Sequence, residues 1–354
     1  MSRYFSSKYA SLTPYVPGEQ PRDKRYIKLN TNESPFPPSP RAQALAAEAA
    51  KELALYSDPE CKQLRTLAAQ KLGISPDEIL FFNGSDEALN FAFLAFCDEG
   101  TPAAFPDITY GFYEVFANVN GIPYTKILLM DDFTIRTEDY VNLRKTIFIA
   151  NPNAPTALAL PLASIEKILQ ANPNNVVVID EAYIDFGGES AIPLIARYDN
   201  LLVIQTFSKS RSMAGGRLGF AAGCKALIKD LNDLRYSTNP FNVNRMSMAA
   251  GIGALEDEDY FRSCVKAVLA ARDYTLRELR GLGFTAGNSE TNFVLAKHPA
   301  LDGKQLYLQL KDKGILVRHF DTPRLRDYIR ITIGTTAQME AMIAAIREIM
   351  EETL

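Results

Sequence analysis

Three charged residues stand where apolar runs end, and their types and spacing could do chemistry. Val176–Ile179 is a continuous apolar run that leads into Asp180, with Tyr183 three residues further on. A carboxylate in that position is costly unless a cation or a metal meets it. Leu201–Gln205 is a second apolar run, and it opens into TFSKSRSMAGGRLGF, residues 206–220, which carries Thr206, Ser208, Lys209 and Arg217. A lysine amine there can attack a carbonyl, and hydroxyls beside an arginine suit a phosphate. After the run Ile79–Phe82 comes Asn83-Gly84-Ser85-Asp86, a glycine turn opening a helix, whose backbone N–H groups would also suit a phosphate. Tyr110 follows the run Ala103–Phe105 at a loop–helix junction. Each feature alone is also what an ordinary loop, helix cap or packing aromatic looks like. Their recurrence at successive strand ends is the signal.

For these residues to meet, the runs must lie side by side. Helical patterns at Ala42–Leu55, Cys61–Leu72 and Ser85–Phe96 alternate with short apolar runs at 79–82, 103–105, Thr146–Ala150, 176–180, 201–205 and Leu218–Ala222. Such alternation predicts a parallel sheet covered on both faces. In sheets of that kind ligands sit beyond the carboxyl ends of the strands. From about residue 225 the texture changes: helices over Phe241–Leu255 and Tyr260–Leu279 precede strands at Asn292–Ala296, Ile315–Arg318 and Tyr328–Thr332, with a closing helix at Ala337–Glu351. That is a smaller α+β unit. Residues 1–40 are polar and end in SPFPPSP, an extended arm.

Composition narrows the chemistry. The chain has 354 residues and a formal charge of −4, which gives no electrostatic reason to expect nucleic acid or an anionic membrane as partner. No run approaches the ~20 apolar residues of a membrane span, and the first residues lack the apolar core of a signal peptide, so a cytoplasmic protein is expected. The four cysteines are scattered without a C-x-x-C pair, and only two histidines are present. Disulfides, a metal site and a histidine-centred triad are therefore not expected. An organic cation is the better partner for Asp180.

One ligand would use every piece: pyridoxal 5′-phosphate. Its aldehyde takes a lysine (Lys209), and its pyridinium nitrogen takes a carboxylate (Asp180). Its phosphate takes Thr206, Ser208 and Arg217 together with the Gly84–Ser85 turn, its ring takes Tyr110, and its phenolic oxygen takes Tyr183.

With these residues in place, the chain resembles the fold-type I pyridoxal-phosphate aminotransferases over nearly its full length, most closely the histidinol-phosphate aminotransferase family. KLNTNESPFPPSP resembles the family's arm, LYSDPE the segment between its first two helices, and NGSDEAL its first phosphate turn; VVVIDEAYIDF, TFSKSRSMAGGRLGF and YIRITIGT resemble its aspartate, lysine and arginine segments. The resemblance implies an α/β large domain, with a mostly parallel sheet flanked by helices, plus a smaller α+β domain. The chain then divides into an arm at 1–40 that joins the small domain, a large cofactor domain at 41–238 and the small domain at 239–354. It implies that Lys209 forms the Schiff base and moves protons, and that Ser85 and Asp86 help hold the phosphate. It also implies that Tyr56 reaches the neighbouring site of a homodimer, and that Arg330, helped by Arg318, Tyr15 and Asn32, faces the substrate. Small amines or amino acids and 2-oxo acids would be its partners, with histidinol phosphate and 2-oxoglutarate/glutamate as the exchanging pair. A lyase resembling threonine-phosphate decarboxylase, a general or aromatic aminotransferase, and a non-catalytic binding protein are the alternatives. One position departs from the family pattern, which places an asparagine donor where this chain has Ala154. The neighbouring Asn153 is the expected substitute, from a shifted loop.

Overall fold

The computed structural model describes residues 2–9, 12–15, 18–21 and 23–353. In chain order it contains β1 (Ile27–Lys28), α1 (Pro40–Ala49), α2 (Lys62–Leu72), β2 (Ile79–Phe82), α3 (Ser85–Phe96), β3 (Ala103–Pro106), α4 (Phe112–Asn120), β4 (Tyr124–Ile127), β5 (Thr146–Ala150), α5 (Leu162–Ala171), β6 (Val177–Asp180), β7 (Leu201–Thr206) and β8 (Gly219–Gly223). It continues with α6 (Lys225–Thr238), α7 (Arg245–Glu256), α8 (Glu258–Gly281), β9 (Thr285–Ala286), β10 (Phe293–Lys297), α9 (Gly303–Asp312), β11 (Ile315–Leu316), β12 (Arg318–His319), β13 (Ile329–Thr332) and α10 (Thr336–Thr353).

Seven strands form the main sheet in the order β2-β8-β7-β6-β5-β3-β4. From β7 to β4 the pairs are parallel, and β8 runs antiparallel to both its neighbours. This reversal matters for the site. It brings the start of β8 to the same sheet edge as the ends of β2, β6 and β7, so Arg217, Lys209, Asp180 and the Gly84–Ser85 turn all project from one edge. Gly219 pairs with both Phe82 and Thr206. A Cβ on Gly219 would lie 2.6 Å from the backbone nitrogen of Ser85, so any side chain there would push the turn away from the lysine loop.

Side-chain alternation builds a core on each face. Phe81, Ile147, Ile149, Val177, Ile179, Leu201 and Val203 pack toward α1, α2, α5 and α7. Leu80, Phe82, Phe148, Val178, Leu202 and Ile204 pack toward α3, α4 and α6. Period-two alternation in runs that are apolar throughout is what a sheet buried on both faces requires.

A second, antiparallel sheet of order β12-β13-β10-β9 packs with α8, α9 and α10 into a separate core. The arm joins it: β1 pairs parallel with β11, and Leu29 enters the same core. Tyr183 and Ala154, from the main-sheet loops, also reach this core, so the two units meet at the sheet edge that carries the charged residues.

Some boundaries differ from the sequence reading. The first helix stops at Ala49 and continues only as a 3-10 turn to Glu52. Helix α7 starts at Arg245 because the Asn244 side chain accepts the Ser247 N–H. It packs with Ala42, Leu64 and Ala68 of α1 and α2 through Ala254 and Leu255, although it lies beyond residue 238. The run 315–318 is two strands, β11 pairing with the arm and β12 with β13. Strand β4 has no counterpart in the sequence reading: it is the sheet edge, its residues are half exposed, and it carries no apolar run. Among the described residues no helix is long and apolar enough to cross a membrane.

Candidate active site

Asp180 ends β6 and is 4 % exposed. Tyr113, in the first turn of α4, donates its hydroxyl to Asp180 Oδ2 at 2.9 Å, and the Ala182 N–H donates to Oδ1 at 3.2 Å. Burial pushes the Asp180 carboxyl up to about 6, against the pull of these two hydrogen bonds. Burial and the facing carboxylate hold the Tyr113 phenol well above its usual range, so it remains a donor. Among the described residues no lysine, arginine or histidine forms an ion pair with Asp180 within 4.0 Å. The sequence reading missed Tyr113. Its position three residues after Tyr110, on one face of a starting helix, was the available signal.

Beside Asp180 lies an anion cradle. Gly84 has φ 85°, and a Cβ there would sit 2.5 Å from Arg217 Nη2, so the turn needs glycine for both conformation and space. No side chain caps α3 at Gly84, which leaves its N-terminal turn facing the lysine loop. Thr206 Oγ1 lies 3.0 Å from Ser208 Oγ and receives the Ser208 N–H at 3.1 Å. Arg217 Nη2 meets Asp86 Oδ2 at 2.9 Å, and Nη1 is 3.4 Å from Ser208 Oγ. Asp86 Oδ1 accepts from Tyr110 at 2.7 Å. Burial, then Asp86, raises the Tyr110 phenol well above its usual value. Lys209 lies between this cradle and the outer cavity and lines both, with Nζ 5.8 Å from the centre of the Tyr183 ring.

The outer cavity has a volume of about 660 Å³, and Tyr15, Asn32, Tyr110, Lys209, Arg318 and Arg330 line it. Arg330 and Arg318 are direct cross-strand partners on β13 and β12. The Arg330 guanidinium donates to the Asn30 carbonyl at 3.0 Å and stacks between Phe293 (5.1 Å) and Phe320 (5.6 Å). Its Nε is buried without a hydrogen-bond partner, and burial lowers its pKa. Like charges directly opposite in a ladder are destabilising, so this wall suits an anion. The Tyr15 ring packs at a tilt of 35° against Phe112, 4.3 Å between centroids, at the rim. Asn32 lines the cavity, but its amide is engaged: Nδ2 donates to Tyr183 Oη at 2.9 Å, and Oδ1 accepts from Thr332 Oγ1 at 3.1 Å.

Two expectations need comment. Asn153 does not replace the donor absent at Ala154. Its side-chain nitrogen donates to the Ile108 carbonyl and to Thr156 Oγ1, both at 2.9 Å, and its oxygen accepts from Thr109, so the buried amide braces its own loop. Ala154 itself lines the cleft. Tyr56 lies outside the cleft of its own chain; it is 81 % exposed and stacks on Phe241 at 4.6 Å. Among the described residues no group of three or more His, Cys, Asp or Glu side chains is placed to hold a metal ion.

A ligand with a cationic ring nitrogen, an aldehyde and a phosphate fits this donor set. Asp180 is a buried carboxylate without an ionic partner, Lys209 is adjacent, and the Gly84 turn with Arg217 forms an anion cradle. Pyridoxal phosphate has all three features.

Comparison with known proteins gives the same direction. Residues 24–346 match the family model described as aminotransferase class I and II. The chain is 49 % identical to a histidinol-phosphate aminotransferase of Marinomonas sp. over 98 % of this chain and 99 % of that one. It is 48 % identical to one of Brachyspira hyodysenteriae over 99 % of this chain and all of that one. Among solved structures, histidinol-phosphate aminotransferase from Sinorhizobium meliloti in complex with pyridoxal-5′-phosphate superposes with a TM-score of 0.91 at 26 % identity, covering 100 % of this chain and 99 % of that one. The chain belongs to the class I and II aminotransferases, of fold type I, within the histidinol-phosphate aminotransferase family.

Proposed function

We propose that this protein is a pyridoxal-phosphate-dependent aminotransferase that moves an amino group between histidinol phosphate and the 2-oxoglutarate/glutamate pair in a ping-pong cycle. The observation that carries the substrate assignment is the Arg318–Arg330 pair, directly opposed across two strands, with a buried Arg330 Nε that lacks a partner. Two adjacent guanidinium groups suit a phosphate dianion, and one of them can hold a carboxylate in the other half-reaction.

When bound, pyridoxal phosphate supplies an aldehyde that carries the amino group and a ring that takes up electron density. The chain's residues do the rest. Lys209 Nζ would hold the aldehyde and, with its amine free, would serve as the base that accepts and returns the proton during transfer. Asp180 Oδ atoms, braced by Tyr113 and the Ala182 N–H, would keep a proton on the ring nitrogen. Tyr183 Oη would donate to the phenolic oxygen, and Tyr110 would lie against the ring. Thr206, Ser208, Arg217 and the Gly84–Asp86 turn would hold the phosphate. Tyr15 closes the rim beside the substrate.

The same reading includes a homodimer in the cytoplasm. Tyr56 and Phe241 form an exposed stacked pair, and Leu53 and Leu55 nearby are also exposed. Apolar surface of this kind marks an interface, and a second copy would bring Tyr56 to its partner's phosphate cradle. The reading further divides the chain into an arm, a large unit and a small unit, with α7 packed on the large one.

The test is kcat/KM for histidinol phosphate against histidinol, phenylalanine and threonine phosphate. Histidinol phosphate should lead histidinol by about 100-fold or more, because removing the phosphate takes the charge-assisted partner from the buried Arg330 Nε. A clear preference for phenylalanine would replace the assignment with an aromatic or general aminotransferase.

A further inference from the structure

We propose that Asn32 is a positioning residue for Tyr183: its side-chain N–H occupies an acceptor site on Tyr183 Oη, so that the phenol's own proton is directed into the cleft. The inference rests on the reading that pyridoxal phosphate is held at Lys209.

The hydrogen-bond directions run outward from Thr332. The Thr332 hydroxyl accepts the Asn32 backbone N–H at 2.9 Å, so its proton is free to go to Asn32 Oδ1 at 3.1 Å. An amide whose oxygen accepts there must present its nitrogen on the other side, toward Tyr183 Oη at 2.9 Å. The Asn32 carbonyl in turn accepts from Asn292 Nδ2 at 3.0 Å, and the residue is 2 % exposed. Both backbone polar groups of Asn32 are thus tied down, which fixes where its side chain starts. Its φ of 57° lies in the left-handed region, which asparagine and aspartate tolerate better than most residues.

Tyr183 has little freedom of its own. Its ring packs edge-on against Phe293 at 5.0 Å, and the residue lines both the cradle and the outer cavity. With one lone pair taken by Asn32, its remaining proton points to whatever oxygen the cleft holds. A phenol that accepts a hydrogen bond is also a stronger donor, because linked bonds polarise one another. The arm thus supplies an indirect donor, because Asn32 strengthens Tyr183. Asn153 cannot serve, since its nitrogen is committed to Ile108 and Thr156.

The consequence is spectroscopic. A donor on the cofactor's phenolic oxygen stabilises negative charge there, most strongly once the neighbouring nitrogen bonded to Lys209 has lost its proton. Weakening that donor therefore raises the pH midpoint of the visible band. The experiment titrates the cofactor spectrum of the holoenzyme in wild type, Asn32→Ala, Asn32→Asp, Tyr183→Phe and the double variant Asn32→Ala/Tyr183→Phe. Asn32→Ala should raise the midpoint by roughly 0.3 pH unit, the scale of a 10–30 % change in one charge-assisted bond. Asn32→Asp keeps the shape and the tolerance for positive φ but offers an acceptor that draws the Tyr183 proton away, so its midpoint should rise further. In the Tyr183→Phe background, Asn32→Ala should add nothing.

An unchanged midpoint in both Asn32 variants overturns the proposal, and so does a shift that persists without the Tyr183 hydroxyl. If Asn32→Ala does not fold, the Asn32→Asp comparison carries the test alone. A wild-type protein with no visible band from a Lys209-bound cofactor would overturn the cofactor reading as well, whereas a normal band with unmoved midpoints overturns only the role of Asn32.

Discussion

The two ends of the cleft are built differently. At the acid end, Asp180 is the last residue of a central strand, and its two oxygens are braced by a phenol and a backbone N–H before any ligand arrives. At the basic end, Arg330 sits on a four-residue strand of the smaller sheet. It leans on the arm through the Asn30 carbonyl, faces Arg318 and keeps a buried Nε without a partner. Donors surround the anion, whereas the cation is held mainly by aromatic faces. The difference teaches which ligand part each end receives. A well-braced buried carboxylate suits a small, fixed cation such as a ring nitrogen. A pair of adjacent guanidinium groups, one with a buried Nε that lacks a partner, suits an anion that comes and goes, alternately a phosphate and a carboxylate.

The difference also has a structural source. The acid end rests on one sheet, where β6, β7, β8 and β2 share an edge and every register is fixed by burial on both faces. The basic end is assembled where the arm, the small sheet and the main-sheet loops meet. Closure of such a junction is a natural way to admit and release substrate.

Lys209 stands between the ends, and removing it should have the largest effect. Lys209→Ala should fold and retain cofactor without a covalent bond, while transamination falls by at least ~1000-fold. Borohydride reduction of the wild type followed by peptide mapping checks the same residue, and a pyridoxyl label on another lysine would sink the assignment.

A smaller effect is expected at the basic end. Arg330→Gln should lower kcat/KM for histidinol phosphate by about 100-fold, the range for losing one partner of a buried charge-assisted contact. The loss for unphosphorylated histidinol should be several-fold smaller. Equal losses for the two amines would mean that Arg330 holds the fold or a carboxylate but not the phosphate, and the division between the ends would need redrawing.

Legibility in the sequence follows the same divide. The acid end and the cradle were readable because their residues lie at or within a few residues of the ends of apolar runs, and a run buried on both faces is a strong signal. Tyr113 was readable in principle from its spacing with Tyr110. The basic end was not readable from pattern: Arg318 and Arg330 lie on strands of two and four residues, and only the β12–β13 register makes them neighbours. Resemblance alone pointed there. Adjacency in sequence says nothing about side-chain direction in a turn, and the Asn153 amide faces Ile108 and Thr156. The Asn32–Tyr183 bond joins residues 151 positions apart, which no local pattern could show.

The smallest expected effect sharpens the acid end, and its sign can be worked out. The Asp180 carboxyl titrates at about 6 in the folded protein, against an ordinary value of 3.8. In that window the native carboxyl still holds its proton while the unfolded one has lost it. The native state therefore binds more protons, and the apoprotein should lose stability as pH rises from about 4 to 6, by about 2–3 kcal/mol in total. Asp180→Asn keeps the shape, can still accept from Ala182 and can pair with Tyr113, yet carries no charge to bury. Its apoprotein should be more stable than wild type at pH 7 and should converge with it toward pH 4. Glu181, pushed up to about 7 chiefly by burial, titrates in both proteins, so the difference between the two curves isolates Asp180. With cofactor bound the order should reverse. The ring nitrogen then supplies the cation that the wild-type carboxylate lacks, and the neutral amide of the variant gains nothing from it. Denaturant unfolding of apo and holo forms at several pH values measures both effects. Parallel apo curves would show that solvent already reaches this carboxylate, and the contrast between a braced, buried acid end and a basic end built at a junction would fail.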